Sequence, residues 1–92
     1  MSEKRRPRQA VALRYDAENE RAPRVVASGS GSTAEAILAA AAEHGIPVEE
    51  DEALLGLLAE CEVGEEIPQE LYEAVAELLT WLYRLEGRLL AG

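Results

Sequence analysis

Apolar positions along this chain fall into short clusters divided by polar turns, and the clusters change period as the chain proceeds. Ala10-Val11-Ala12-Leu13-Arg14-Tyr15 is apolar, partly β-branched and ends at the charged turn residue Asp16. Such a run predicts a strand buried on at least one face. Ala17 to Pro23 is a polar connection, and Arg24-Val25-Val26-Ala27-Ser28 predicts a second strand. A connector of this length joins the two as an antiparallel hairpin with a wide loop. Ser28-Gly29-Ser30-Gly31 then breaks the strand.

From Ser32 the apolar spacing becomes helical. Ser32 and Glu35 form a capping box that opens a helix through Ala34, Ile37, Leu38, Ala41 and Ala42. Gly45 closes it, with His44 in the last turn and Pro47 just beyond. Ile46-Pro47-Val48-Glu49 reads as a short third strand, parallel to the second through a right-handed crossover. Asp51 caps a second helix carrying Ala53, Leu54, Leu57 and Leu58. Cys61 to Ile67 is a loop anchored by Val63 and Ile67, and Pro68 takes the first position of the last helix. Leu71, Val75, Leu78, Leu82 and Leu85 form that helix's apolar stripe, widened by Tyr72, Leu79 and Tyr83. Burying side chains of this size contributes ~1.5–3 kcal/mol each as an upper bound, so the last helix is the main apolar contributor. The expected fold is one compact α/β domain, with a small mixed β-sheet of about three strands surrounded by three helices.

Length and charge narrow the class. Ninety-two residues suit a single core. The net charge of −9 divides into +3 over residues 1–8 and −12 over the rest. Residues 1–8 therefore read as a disordered basic tail, 9–88 as the folded domain and 89–92 as a frayed end. Between Val25 and Tyr83 there is no lysine or arginine, while twelve acids lie between Glu43 and Glu77. Such a body repels phosphates, which argues against a nucleic-acid partner. No apolar run approaches the ~18 residues of a membrane span, and the N-terminus has no hydrophobic signal region, so a cytoplasmic protein is expected. The single cysteine, Cys61, excludes an internal disulfide, and Glu60 and Glu62 beside it raise a thiol pKa. It reads as a small apolar side chain. His44, the only histidine, has no second ligand nearby in sequence and reads as structural.

Several stretches carry a resemblance. They are Arg5-Arg6-Pro7-Arg8-Gln9 with the strand that follows, Ala22 to Ala27, Gly45 to Glu50, and Val63 to Glu77 followed by Trp81, Tyr83 and Arg84. Together they resemble the cytosolic domain of the FlhB/YscU family, the switch proteins of flagellar and type III secretion export machines. In that family an Asn-Pro-Thr-His tetrapeptide and one aromatic residue precede such a strand, and the chain cleaves itself between the Asn and the Pro. Here those four positions read Arg5, Arg6, Pro7 and Arg8, with Gln9 in place of the aromatic. The cleavage requires an asparagine amide to attack its own carbonyl, and a protonated guanidinium cannot do so. The large membrane domain of the full-length family pattern is also missing from these residues, so a stand-alone relative is expected. The resemblance implies a cleavage-incompetent, non-enzymatic protein–protein module of protein secretion. Its implied partners are components of the export apparatus or their regulators, met in the cytoplasm or peripherally at the inner-membrane export gate.

One motif competes. Gly29-Ser30-Gly31-Ser32-Thr33-Ala34 fits G-x-G-x-x-A, and Glu49 lies twenty residues past Gly29. The alternative is thus a small anion- or nucleotide-binding protein using the Gly29–Thr33 loop. Three strands offer no second half for a dinucleotide, and a loop feeding a capped helix accounts for the match. No cofactor, metal or catalytic residue is expected. The run Glu49-Glu50-Asp51-Glu52 reads as a solvated turn, lacking a base or nucleophile beside it. Trp81 lies off the apolar stripe and is the candidate interface anchor, with Glu70, Glu73 and Glu77 as the acids around it.

Overall fold

The computed structural model describes residues 8–16 and 18–80. Two strands, β1 (Gln9–Arg14) and β2 (Arg24–Ser30), are followed by the helices α1 (Ser32–Glu43) and α2 (Glu52–Leu58). A 3₁₀ turn over Gln69–Leu71 then leads into a third helix, α3, over 72–80. The expected hairpin forms, with β1 and β2 antiparallel and in register from Gln9 opposite Ser30 to Arg14 opposite Arg24. Between Ala12 and Leu13 the register slips by one residue, leaving Val26 as the extra residue of a bulge. The strand's alternation sets the two neighbouring valines on opposite faces: Val25 is fully buried and Val26 is exposed.

The protein is a single small α/β domain, and its sheet differs from expectation in one respect. Among the described residues it has two strands, both antiparallel, and 46–50 is an exposed loop. The edge of β2 is taken instead by a segment from farther along the chain. Val25 N–H donates to Glu65 O at 2.9 Å, Gly64 N–H to Val25 O at 2.7 Å, and Ile67 N–H to Pro23 O at 2.9 Å. Arg24 and Glu66 form an antiparallel bridge. With those backbone groups of β2 already satisfied, the Pro47 segment, short of one N–H, has no ladder to join there.

The helix ends divide between expectation and correction. Gly45, at φ +67°, closes α1 with Ile46 N–H on Ala41 O and Gly45 N–H on Ala42 O, the two bonds of a Schellman cap. Asp51 caps α2 as expected, accepting from Leu54 N–H at 3.0 Å. The Ser32 capping box does not form. Strand β2 continues to Ser30, and Gly31 turns directly from strand to helix at φ 61°, ψ −128°, so Ser32 is already helical. Pro68 sits one place earlier than expected, capping the 3₁₀ turn instead of opening the helix.

The core gathers Val25 from β2, Leu54 and Leu58 from α2, Ile67 and Leu71 from the following segment, and Val75 from α3. Val11, Leu13, Cys61, Leu78 and Leu79 pack half-buried against them. Helix α1 lies against both strands, with Ala34 fully buried. Five expected core residues are exposed: Ala42, Ala53, Leu57, Val63 and Tyr72. Helix α2 has only seven residues, so the face holding Leu54 and Leu58 turns Leu57 outward. Val63 precedes Gly64 in a turn closed by Glu65 N–H on Glu62 O, and a turn tip points to water. The stripe begins as read, with Leu71 at the end of the 3₁₀ turn and Val75 on α3, while Tyr72 is exposed. Leu82, Tyr83 and Leu85 lie outside the described residues.

Candidate interaction site

Asp16 organises the hairpin loop. Its side chain accepts the Glu18 N–H at 3.1 Å and the Asn19 amide at 2.6 Å, while its carbonyl accepts the Glu20 N–H at 2.7 Å. This Asx-type turn swings the Glu20 carboxylate between the two arginines that end the hairpin ladder. Arg14 donates to Glu20 at 2.8 Å and Arg24 at 3.5 Å. Arg24 also reaches across to the 62–66 turn, donating to Gly64 O at 2.6 Å and lying 3.8 Å from Glu66. Arg21 meets the same Glu66 at 3.6 Å. The Arg14 hydrogen bond holds the Glu20 carboxyl below the ordinary carboxylate range, and the Asn19 amide does the same for Asp16. The sequence reading missed this cluster, because Arg24 and Glu66 are forty-two positions apart in the chain.

Beyond Glu66 lies an open groove of about 730 Å³, bounded by the end of α2, the 60–66 loop and the 3₁₀ turn. Leu57, Cys61, Pro68 and Leu71 give it an apolar floor, and Glu60, Glu62, Glu65, Glu66 and Glu70 line it with carboxylates. Burial, and then Glu60 and Glu65, push the Cys61 thiol up, and its Sγ sits 3.8 Å from Leu57 O. The thiol therefore stays protonated and serves as floor.

The expected site residues are distributed unevenly. Arg5, Arg6 and Pro7 lie outside the described residues, as does Trp81. Arg8 is exposed, and its carbonyl accepts the Gly31 N–H at 2.8 Å, which ties the lead-in of β1 to the start of α1. Glu70, Glu73 and Glu77 are all exposed, and of these Glu70 lines the groove. The Gly29–Thr33 motif does not make a phosphate loop. Gly29 and Ser30 are paired strand residues, the Gly31 N–H is taken by Arg8, and Glu49 sits in an exposed loop instead of at a strand end. Gly29 has a packing reason: a Cβ there would collide with the Thr33 side chain. His44 sits exposed at the end of α1 with Nδ1 2.9 Å from Ala40 O. Among the described residues no helix is long and apolar enough to cross a membrane.

This hairpin, followed by an alanine-rich helix and a closing acidic loop, has solved counterparts. The cytoplasmic domain of FlhB from Shewanella putrefaciens superposes with a TM-score of 0.84 at 28% identity, covering 91% of this chain and 66% of that one. The family model described as the FlhB HrpN YscU SpaS family matches residues 7–82. The chain belongs to that family. Among its FlhB/YscU relatives, the uncharacterized protein YlqH of Bacillus subtilis (strain 168) is 42% identical over 86 residues, covering 94% of this chain and 92% of YlqH. The flagellar biosynthetic protein FlhB of Salmonella typhimurium is 44% identical over 84 residues, covering 90% of this chain and 22% of FlhB. The chain thus matches nearly all of YlqH and about a fifth of FlhB. Membership places the protein in a family of flagellar biosynthesis and type III protein export. The resemblance read from the Val63–Glu77 stretch and the strand after Gln9 therefore holds.

Proposed function

We propose that this protein is a non-enzymatic protein–protein module of the flagellar or type III export system, unable to cleave itself, acting in the cytoplasm on export-apparatus components or their regulators. Its working body is the 9–88 domain, between a basic lead-in over 1–8 and a short end over 89–92. What supports the reading is the family match over residues 7–82, together with Arg5-Arg6-Pro7-Arg8 standing where the resemblance puts the family's cleavage tetrapeptide. Cyclisation at that point needs a neutral side-chain amide, and Arg5 offers a permanent cation with no nucleophilic lone pair. The domain keeps the family's fold and leaves recognition as its task.

Trp81 is the apolar anchor of that recognition, and Glu70, Glu73 and Glu77 steer a basic partner towards it. Two measurements test the reading. Intact mass after days at neutral pH stays single; a fragment beginning at Arg6 overturns it. Capture of export-apparatus proteins by the immobilised domain weakens with Trp81→Ala at an unchanged melting temperature. Absence of capture by the unaltered domain refutes the module, and unfolding by the substitution makes Trp81 a core residue.

A further inference from the structure

Resting on that reading, we propose that the groove between the end of α2 and the 3₁₀ turn docks a basic, extended segment of a partner protein through one apolar side chain flanked by lysine or arginine. Three features on different elements converge there. Leu57 is 53% exposed although Leu54 and Leu58 on the same helix are buried, so an apolar surface faces the groove. The groove is open to solvent and has a volume of about 730 Å³. Its acids come from three segments: Glu60 after α2, Glu62 and Glu65 in the turn, and Glu70 on the 3₁₀ turn.

Charge selects the occupant. Glu66 is already held by Arg21 and Arg24, but Glu60, Glu62, Glu65 and Glu70 make no ion pair with another described residue. From Val25 through Thr80 the chain itself supplies no lysine or arginine to neutralise them. Carboxylates of one sign around an apolar floor repel an acidic or phosphorylated ligand and reward a cationic one. The basic lead-in of this chain reaches the groove of the same molecule only with residues 1–7 almost fully extended, at ~3.3–3.6 Å per residue. The Arg8 carbonyl is fixed at Gly31, at the Gln9–Ser30 end of the hairpin, whereas Glu66 is bound at the Arg14–Arg24 end. Six strand residues separate the two ends, roughly 20 Å.

The test is anisotropy of a labelled nonapeptide of alternating lysine and serine with one central leucine, titrated with the full chain at low salt. Binding is expected, with amide shifts confined to 57–71. Leu57→Ser, and separately the pair Glu60→Lys with Glu62→Lys, each weaken it about tenfold. All three exchanges are at exposed positions, and a thermal melt verifies the fold of each variant. A glutamate-for-lysine control peptide does not bind. Affinity unmoved by either variant, equal binding of the acidic control, or shifts elsewhere on the domain overturns the proposal. So does tighter binding by a peptide of residues 1–8, which makes the occupant a copy of this chain. Loss of peptide binding with intact capture of export proteins removes the groove and keeps the interaction module. Peptide binding without any capture does the reverse.

Discussion

Replacing Leu58 and Leu57 in turn tests the orientation of α2, on which both the core and the groove depend. Leu58 is 5% exposed inside the cluster around Val25, and Leu57, its neighbour, faces the solvent. Leu58→Ala removes three carbons from the core, ~2.4 kcal/mol at ~0.8 kcal/mol per buried carbon. The cavity left behind adds to this, bringing the loss to ~3–4 kcal/mol, inside the ~2–5 kcal/mol span of such exchanges. A domain of this length holds on the order of 5–15 kcal/mol in total, so the variant loses a large share of its stability. The melting temperature should fall by ~12–30 °C. Leu57→Ala should stay within ~0.5 kcal/mol of the parent. Urea unfolding of the three proteins, with equal slopes against denaturant, gives the comparison directly. Equal losses at the two positions, or a larger loss at Leu57, would refute the orientation of α2.

Three further outcomes are expected. Glu20 and Asp16 have folded pKa values depressed by Arg14 and Asn19, so they add stability above their unfolded pKa values, ~4.3 and ~3.9, that is lost as pH falls through the folded ones. Glu20→Gln should flatten the fall of the urea midpoint on the acid side of pH 5, and an unchanged acid limb would show that the arginine contacts carry no linkage. Gly29→Ala should cost ~1–3 kcal/mol by driving a methyl into Thr33, and Thr33→Ala should recover part of that loss; additive losses in the double variant would exclude the contact. Because its thiol pKa is raised by burial and by Glu60 and Glu65, Cys61 should react with iodoacetamide at pH 8 more slowly than a free cysteine peptide. Alkylation as fast as the free peptide would place the thiol in open water, and faster alkylation would mean a lowered pKa; either refutes the reasoning.

Local signals carried most of the fold. The hairpin, α1, α2 with its Asp51 cap and the Gly45 helix stop were all readable, because each depends on residues within a few positions of one another. Errors came where distant chain decides. Ile46-Pro47-Val48 has strand composition, but strand status needs a free edge, and Gly64 to Ile67 occupies the one beside β2. Ser32 has the right chemistry for a cap, yet β1 extends β2 to Ser30 and leaves Gly31 to make the turn. For the site, the acids were visible as a run without cations. The apolar floor that turns Glu60, Glu62, Glu65 and Glu70 into a groove was not, since it needs Leu57 outward and Pro68 and Leu71 alongside.

The closure of β2 by Gly64 to Ile67 also sets a schedule for folding during synthesis. Of the six buried side chains of the main cluster, only Val25 precedes residue 50, and three of the others, Ile67, Leu71 and Val75, follow the closing turn. A nascent chain that has left the ribosome only as far as Glu50 holds the hairpin with α1 against it, but none of the residues that cluster around Val25. At ~5–20 residues per second, the remaining members emerge within seconds. Until they do, the apolar face of the hairpin stays open to chaperones and to other chains, so exchanges that slow translation between Asp51 and Val75 should raise misfolding more than the same delay placed before Arg24.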